Sequence, residues 1–216
     1  MIAEKIPLSL YVHWPWCVRK CPYCDFNSHA LPSVSNSDLM DTYMRALLLD
    51  MQSSASLVAN RPIKSIFIGG GTPSLISPRL LANFLNEVAK TYHLTSEIEI
   101  TLEANPGTVD SQRFHDYRQA GVNRLSIGIQ SFNDEQLKRL GRIHNRAQAW
   151  QAIEIAHQSF ANFNLDVMYS LPSQTLSELD FDLSEAIRAD STHLSFYQLT
   201  IESNTVFAKK TPENLP

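Results

Sequence analysis

The chain has 216 residues, 44% of them hydrophobic and 19% charged, an ordinary balance for a soluble globular fold with one sizeable core. Its 18 basic and 22 acidic residues give a net charge of −4 with no basic run, which excludes an electrostatic footprint for nucleic acid. The opening residues are too interrupted for a signal peptide or membrane span and lack the arginine-rich character of a transit peptide.

In chain order, the first apolar, β-branched run is Leu8–Trp14, read as a strand. A long helix follows over about Asp38 to Val58, carrying Leu39, Tyr43, Ala46, Leu47 and Leu57. Ser65–Ile68 is the second strand. Ser77-Pro78 then sets a capping hydroxyl before a proline at the first helical position, with Leu80, Leu81, Phe84, Leu85 and Val88 at helical spacing. After the third strand, Ile98–Glu103, Asp110 opens a helix over Ser111–Ala120 that Gly121 closes with a left-handed cap. Arg124–Gln130 is the fourth strand, and Asn145 opens a helix over Ala147–Phe160. Phe163–Met168, a helix from Ser177 to near Ala189, and Leu194–Thr200 complete six units. Near-continuous apolarity marks strands buried on both faces, and strand-helix alternation implies a parallel arrangement. The fold class expected is α/β, a partial, open (β/α)6 barrel spanning residues 1–207. The polar, aperiodic stretch Ile201–Pro216 reads as a linker, with residues 208–216 starting toward an absent C-terminal domain.

In a parallel barrel, chemistry gathers at the C-terminal ends of the strands. Three cysteines stand there, Cys17, Cys21 and Cys24, spaced C-x3-C-x2-C after the first strand. An odd, tightly clustered set suits metal or catalytic thiols in a reducing compartment, so the cytoplasm is the expected location. Three thiolates hold an iron–sulfur cluster with one iron left open to a small molecule. The rival is a zinc site completed by His13 or His29, although no second C-x2-C pair exists; free buried cysteines are a third reading. Gly69-Gly70-Gly71-Thr72-Pro73 follows the second strand, where glycines let a ligand approach the backbone. This loop lacks the Lys-Ser/Thr ending of a phosphate-binding loop and the spacing of a dinucleotide fingerprint. Glu103 closes the third strand and Gln130 the fourth, while Asp166 interrupts the fifth; a carboxylate in such a place needs a cation, a ligand or solvent. Thr200 closes the sixth. Arg142, in Leu140-Gly141-Arg142-Ile143-His144, is by default a surface helix residue, and His144 and His193 read as ordinary histidines.

Taken together, the segment Tyr11–Cys17, the cysteine loop, Gly-Gly-Gly-Thr-Pro, Glu-Ala-Asn-Pro-Gly, Ser-Ile-Gly-Ile-Gln-Ser-Phe and Leu-Gly-Arg-Ile-His occur in an order that resembles the radical S-adenosylmethionine (SAM) proteins related to oxygen-independent coproporphyrinogen III oxidase. The resemblance covers residues 7 to 207 and is nearest to the heme chaperone branch. The oxidase branch carries a further cysteine two residues after the third, where this chain has Phe26. The resemblance implies a [4Fe–4S] cluster on Cys17, Cys21 and Cys24, whose unique iron takes the amino and carboxylate groups of S-adenosylmethionine. It implies that Tyr11 and Tyr23 flank that cofactor and that Gly70, Gly71 and Thr72 contact its methionine end. Glu103, Gln130, Arg142 and Asp166 would bind the methionine and ribose portions, and Thr200 the adenine side. Reductive cleavage would yield a 5′-deoxyadenosyl radical. Two functions follow from the resemblance: a chaperone that binds heme and passes it to acceptor proteins, membrane-bound ones included, or a coproporphyrinogen III oxidase of porphyrin biosynthesis. A zinc-stabilised barrel without redox function is the third.

Overall fold

The computed structural model describes residues 6–32, 37–58 and 61–215; the first five residues of the opening stretch lie outside these. Six strands form one sheet in sequence order: β1 (Leu8–Trp14), β2 (Ile63–Gly70), β3 (Leu94–Ala104), β4 (Arg124–Gln130), β5 (Phe163–Tyr169) and β6 (His193–Gln198). Every neighbouring pair is parallel. Parallel neighbours require crossovers, which helices supply: α1 (Ser37–Ser54), α2 (Pro78–Thr91), α3 (Ser111–Gln119), α4 (Asp134–Arg139), α5 (Arg146–Ser159) and α6 (Leu176–Arg188). The α/β class and its six parallel strands are as the alternation predicts.

The sheet's apolar side chains, among them Ile66, Ile68, Leu102, Leu125, Ile127, Ile129, Leu165 and Val167, are buried. Helices cover them with residues three or four apart: Leu81, Phe84, Leu85 and Val88 from α2, Phe114 and Tyr117 from α3, and Ala149, Ile153 and Ala156 from α5. Each fully buried large side chain contributes roughly 1.5–3 kcal/mol relative to exposure. The caps that start these helices are side-chain bonds: Ser77 accepts Leu80 N–H, Asp110 accepts Arg113 N–H, and Asn145 forms a reciprocal capping box with Gln148.

Several boundaries differ from the sequence reading. α1 ends at Ser54 and tightens to a 3₁₀ turn over Ala55–Val58. Ser53 Oγ donates to the Asp50 carbonyl at 2.8 Å, competing for a backbone acceptor at the helix end. α6 starts at Leu176, not after Ser177, because Thr175 and Glu178 close a capping box two residues earlier. α4 escapes periodicity because it has six residues; Asn133 caps it by accepting from Glu135 and Gln136 N–H groups. The two-residue strands Trp16–Cys17 and His29–Ala30 are likewise too short to show a period. In the stretch that reads as a linker, Thr205 caps a short helix, α7 (Val206–Lys209), and Phe207 is buried with Leu140, Met168, Leu171 and Leu199.

Candidate functional site

A cavity of about 390 Å³ opens at the rim formed by the C-terminal ends of the strands. Twelve of the thirteen residues singled out above line it: Cys17, Cys21, Cys24, Tyr23, Gly70, Gly71, Thr72, Glu103, Gln130, Arg142, Asp166 and Thr200. Register explains the convergence, since Trp14 pairs with Gly70, Glu103 with Ser126, and Gly128 with Asp166. Tyr11 stands outside the lining. Its hydroxyl donates to His13 Nδ1 at 3.0 Å and its ring stacks on Phe67, while His13 Nε2 donates to the Asn27 carbonyl at 2.9 Å. Tyr11 therefore reaches the segment after the cysteines through His13.

The cysteine loop is held at both ends. Trp16–Cys17 pairs with His29–Ala30, and Cys24 N–H donates to the Cys21 carbonyl at 3.2 Å. Gly71 N–H donates to Trp14 O at 2.6 Å and Thr72 N–H to Trp16 O at 2.8 Å, so the glycine loop lies directly on the strand that leads into the cysteines. A side chain at Gly71 would meet Trp16 O at 2.6 Å, so this approach requires glycine. Burial pushes the Cys24 thiol up from its ordinary value, against the pull of the Phe26 backbone and the Ser28 hydroxyl.

Charge is distributed around this cradle with few internal partners. Among the described residues Glu103 Oε2 accepts only the Gly70 N–H, and burial, with the nearby Asp166 carboxylate adding to it, raises its pKa to about 7. Asp166 accepts from Ser126 Oγ at 3.0 Å and Asn164 Nδ2 at 2.8 Å, yet burial still raises it above the usual carboxylate range. Arg142 leaves the helical surface that its sequence context suggests. It sits after α4 and turns inward, donating Nη2 to Gly128 O at 2.7 Å and Nη1 to Cys21 Sγ at 3.7 Å, with Nε buried and unpaired. Gln130 ends β4 in the left-handed region, φ 70°, at a bulge beside Gly128, and its Oε1 accepts the Tyr197 hydroxyl.

Three thiols stand at the edge of the cavity. No three His, Cys, Asp or Glu side chains among the described residues are gathered tightly enough to hold one metal ion. A zinc ion draws four ligands to within about 2.3 Å of one point, and both nitrogens of His13 are already engaged. A [4Fe–4S] cubane takes each thiolate on a different iron, so its cysteines stand apart around a space. Three thiols around one cavity, beside a guanidinium, fit the cluster.

Residues 11–185 match the sequence profile of the Radical SAM superfamily. The chain belongs to that superfamily. It is 53% identical over 209 residues to the heme chaperone HemW of Haemophilus influenzae, covering 96% of this chain and 55% of that protein. It is 40% identical over 198 residues to the mitochondrial radical S-adenosyl methionine domain-containing protein 1 of Bos taurus, covering 91% of this chain and 44% of that one. Among solved structures it resembles the coproporphyrinogen III oxidase HemN of Escherichia coli, with a TM-score of 0.87 and 27% identity over 97% of this chain and 48% of the other. The chain thus spans about half the length of the curated relatives it matches. Radical SAM membership implies S-adenosylmethionine and a [4Fe–4S] cluster.

Within this radical SAM site, the sequence reading misses Ser126, Gly128, Asn105 and Tyr197. The first two carry a signal: Ser126, Gly128 and Gln130 alternate with the buried Leu125, Ile127 and Ile129, as one face of a strand toward a cavity must. Asn105 follows Glu103 in the same motif, and its side chain caps the turn by accepting Gly107 N–H at 3.0 Å. Tyr197 is one aromatic in an apolar strand and carries no local signal. No helix among the described residues is long and apolar enough to cross a membrane.

Proposed function

We propose that this chain is the cofactor-binding part of a cytoplasmic heme chaperone, which binds heme and delivers it to acceptor proteins, membrane-bound ones included. The observation that carries this reading is the 53% identity with the HemW of Haemophilus influenzae across 96% of the chain. Phe26 supports it, since it lines the cavity rim where the oxidase branch has its additional cysteine.

In this reading Cys17, Cys21 and Cys24 hold the cluster, and when bound and reduced the cluster supplies the electron that cleaves the sulfonium of S-adenosylmethionine. The chain's own residues orient that ligand and exclude water. Gly70 and Gly71 let its methionine end lie on the backbone, with Thr72 beside them. Glu103, buried without a cationic partner among the described residues, offers its carboxylate to a positive group of the ligand. Asp166 and Gln130 would take the ribose, Tyr23 and Thr200 the adenine side, all four lining the cavity, and Arg142 sets positive charge against the Cys21 sulfur. Tyr11 acts at one remove, by holding His13 against the cysteine loop.

The fold likeness to HemN favours one second reading, oxidation of coproporphyrinogen III. One experiment separates them: full-length protein, anaerobically reconstituted, is titrated with heme and assayed on coproporphyrinogen III. Stoichiometric heme binding without porphyrinogen turnover is expected. Turnover without heme retention would replace the chaperone reading with the oxidase one.

A further inference from the structure

We propose that Phe207 is a positioning residue for the cluster: from the segment beyond the sheet, it clamps the Cys21–Cys24 loop through Pro22 and Tyr23. The inference rests on the assignment of the cluster to Cys17, Cys21 and Cys24.

The loop's own bonds are few. Between Cys21 and Cys24 the backbone closes one turn, Cys24 N–H to Cys21 O. Beside it Cys24 Sγ meets Ser28 Oγ at 3.9 Å and Lys20 Nζ donates to the Phe26 carbonyl at 2.9 Å; further grip comes from elsewhere in the chain. Phe207 N–H donates to the Pro22 carbonyl at 3.0 Å. As the second residue of α7, Phe207 has an N–H that helix geometry leaves without a partner. The Thr205 cap does not take it, because that hydroxyl accepts from Ala208. The donor is therefore spent on the cluster loop.

The side chain makes the second contact. Phe207 is 8% exposed, and its ring lies 6.4 Å from that of Tyr23, tilted by 47°. It belongs to a small apolar group with Leu140, Met168, Leu171 and Leu199, which is separate from the main core beneath the sheet. Against the Pro22 ring, Gly141 leaves no room for a side chain: a Cβ there would meet Pro22 Cδ at 2.7 Å. Pro22 thus meets Gly141 at its ring and the backbone of Phe207 at its carbonyl. Tyr23 is fixed between Phe207 and the neighbourhood of Arg142, whose Nη1 reaches Cys21.

Phe207 also lines a second cavity, with Arg139, Pro172, Val206 and Lys210. Phe207 thus borders both that space and, through Tyr23, the cysteine loop. Truncating it frees the loop and leaves the main core intact. Placement of two cluster thiols depends in this way on a segment nearly two hundred residues away in sequence.

The test uses the full chain. In the metal-free protein, alkylation rates of Cys21 and Cys24 are measured by mass spectrometry relative to Cys17, which the paired strand Trp16–Cys17 holds independently. Phe207→Ala is expected to raise that ratio by about tenfold through local opening, and Phe207→Leu by less. Val206→Ala, on the exposed side of the same helix, should leave it unchanged. After anaerobic reconstitution, Phe207→Ala should also broaden the EPR signal of the reduced cluster. A wild-type ratio in folded Phe207→Ala overturns the proposal; if that variant does not fold, the ratio in Phe207→Leu decides in the same way. Wild-type protein that takes up no iron would defeat the cluster assignment while leaving the alkylation ratio to judge the clamp.

Discussion

Glu103 Oε2 accepts the Gly70 backbone N–H at 3.0 Å, and among the described residues no lysine or arginine joins the pair. Burial, with a smaller push from Asp166, raises the Glu103 pKa to about 7, although the Gly70 N–H pulls the other way. A carboxyl whose folded pKa exceeds its unfolded value binds protons on folding, so Glu103 lowers stability as pH rises from about 4.5 through 7. A cationic ligand beside it restores the ordinary order. S-adenosylmethionine binding is therefore predicted to tighten as pH rises toward 7, by up to about tenfold per unit, with release of a proton. Calorimetry in buffers of different ionisation enthalpy measures both effects. Glu103→Gln should abolish both, weaken binding, and leave the melting temperature at pH 8 equal to wild type or a few degrees higher. A large loss of stability with unaltered binding would mean instead that Glu103 holds the fold.

The three thiols line one cavity. Anaerobic reconstitution is predicted to give about four irons per chain, as a [4Fe–4S] cluster requires, with S-adenosylmethionine perturbing the EPR signal. Cys21→Ala should lose both the iron and the perturbation. A stoichiometric zinc content with no iron uptake would sink the assignment.

His144, an ordinary histidine in the sequence reading, is buried beneath the site, 4% exposed, with Nε2 donating to Ile129 O at 3.1 Å and Nδ1 unpaired. Burial, reinforced by the Arg142 charge, lowers its pKa to about 3 from 6.5. The unfolded chain then binds the extra proton between about 3 and 6.5, so stability falls as pH drops through that window, by up to about 1.4 kcal/mol per unit. His144→Gln, which retains a donor for Ile129, should flatten this slope in urea titrations between pH 6.5 and 4.5. An unchanged slope would assign the acid sensitivity to other groups.

How much of this was legible before the structure depended on whether the signal was local. β4 is legible because Leu125, Ile127 and Ile129 are apolar and the chain turns polar at Gln130 and Ser131. The helix starts are legible where one side chain does the capping, as at Ser77, Asp110 and Asn145. Arg142 is not, because the difference between a solvated helix residue and a buried guanidinium lies in the backbone approach of Gly128, fourteen residues away. Tyr197 and Phe207 are not legible for the same reason. Each owes its role to a partner, Gln130 or Pro22, that only the assembled sheet brings near.

Two glycines at the rim differ in what a side chain there would displace. A Cβ on Gly71 would meet backbone atoms, Trp16 O at 2.6 Å and Trp14 O at 2.9 Å, and these cannot give way without moving the strand that leads into Cys17. A Cβ on Gly128 would meet the ends of flexible side chains, Gln130 Nε2 at 2.8 Å and Arg142 Nη2 at 3.3 Å, which can swing aside. Gly71→Ala is therefore predicted to cost about 1–3 kcal/mol of stability, as overpacking does, and to reduce iron incorporation. Gly128→Ala should cost less than about 1 kcal/mol and retain its iron, because neither displaced group is a cluster ligand. Its penalty falls on ligand affinity, since the amide and guanidinium that it displaces are those facing the cavity; roughly tenfold weaker S-adenosylmethionine binding corresponds to about 1.4 kcal/mol of lost contact. Iron counts, urea titrations and calorimetry on the two variants give the comparison. If Gly128→Ala lost iron while Gly71→Ala kept it, the glycine loop would not be what seats the cluster strand, and the division of the rim drawn from these contacts would be wrong.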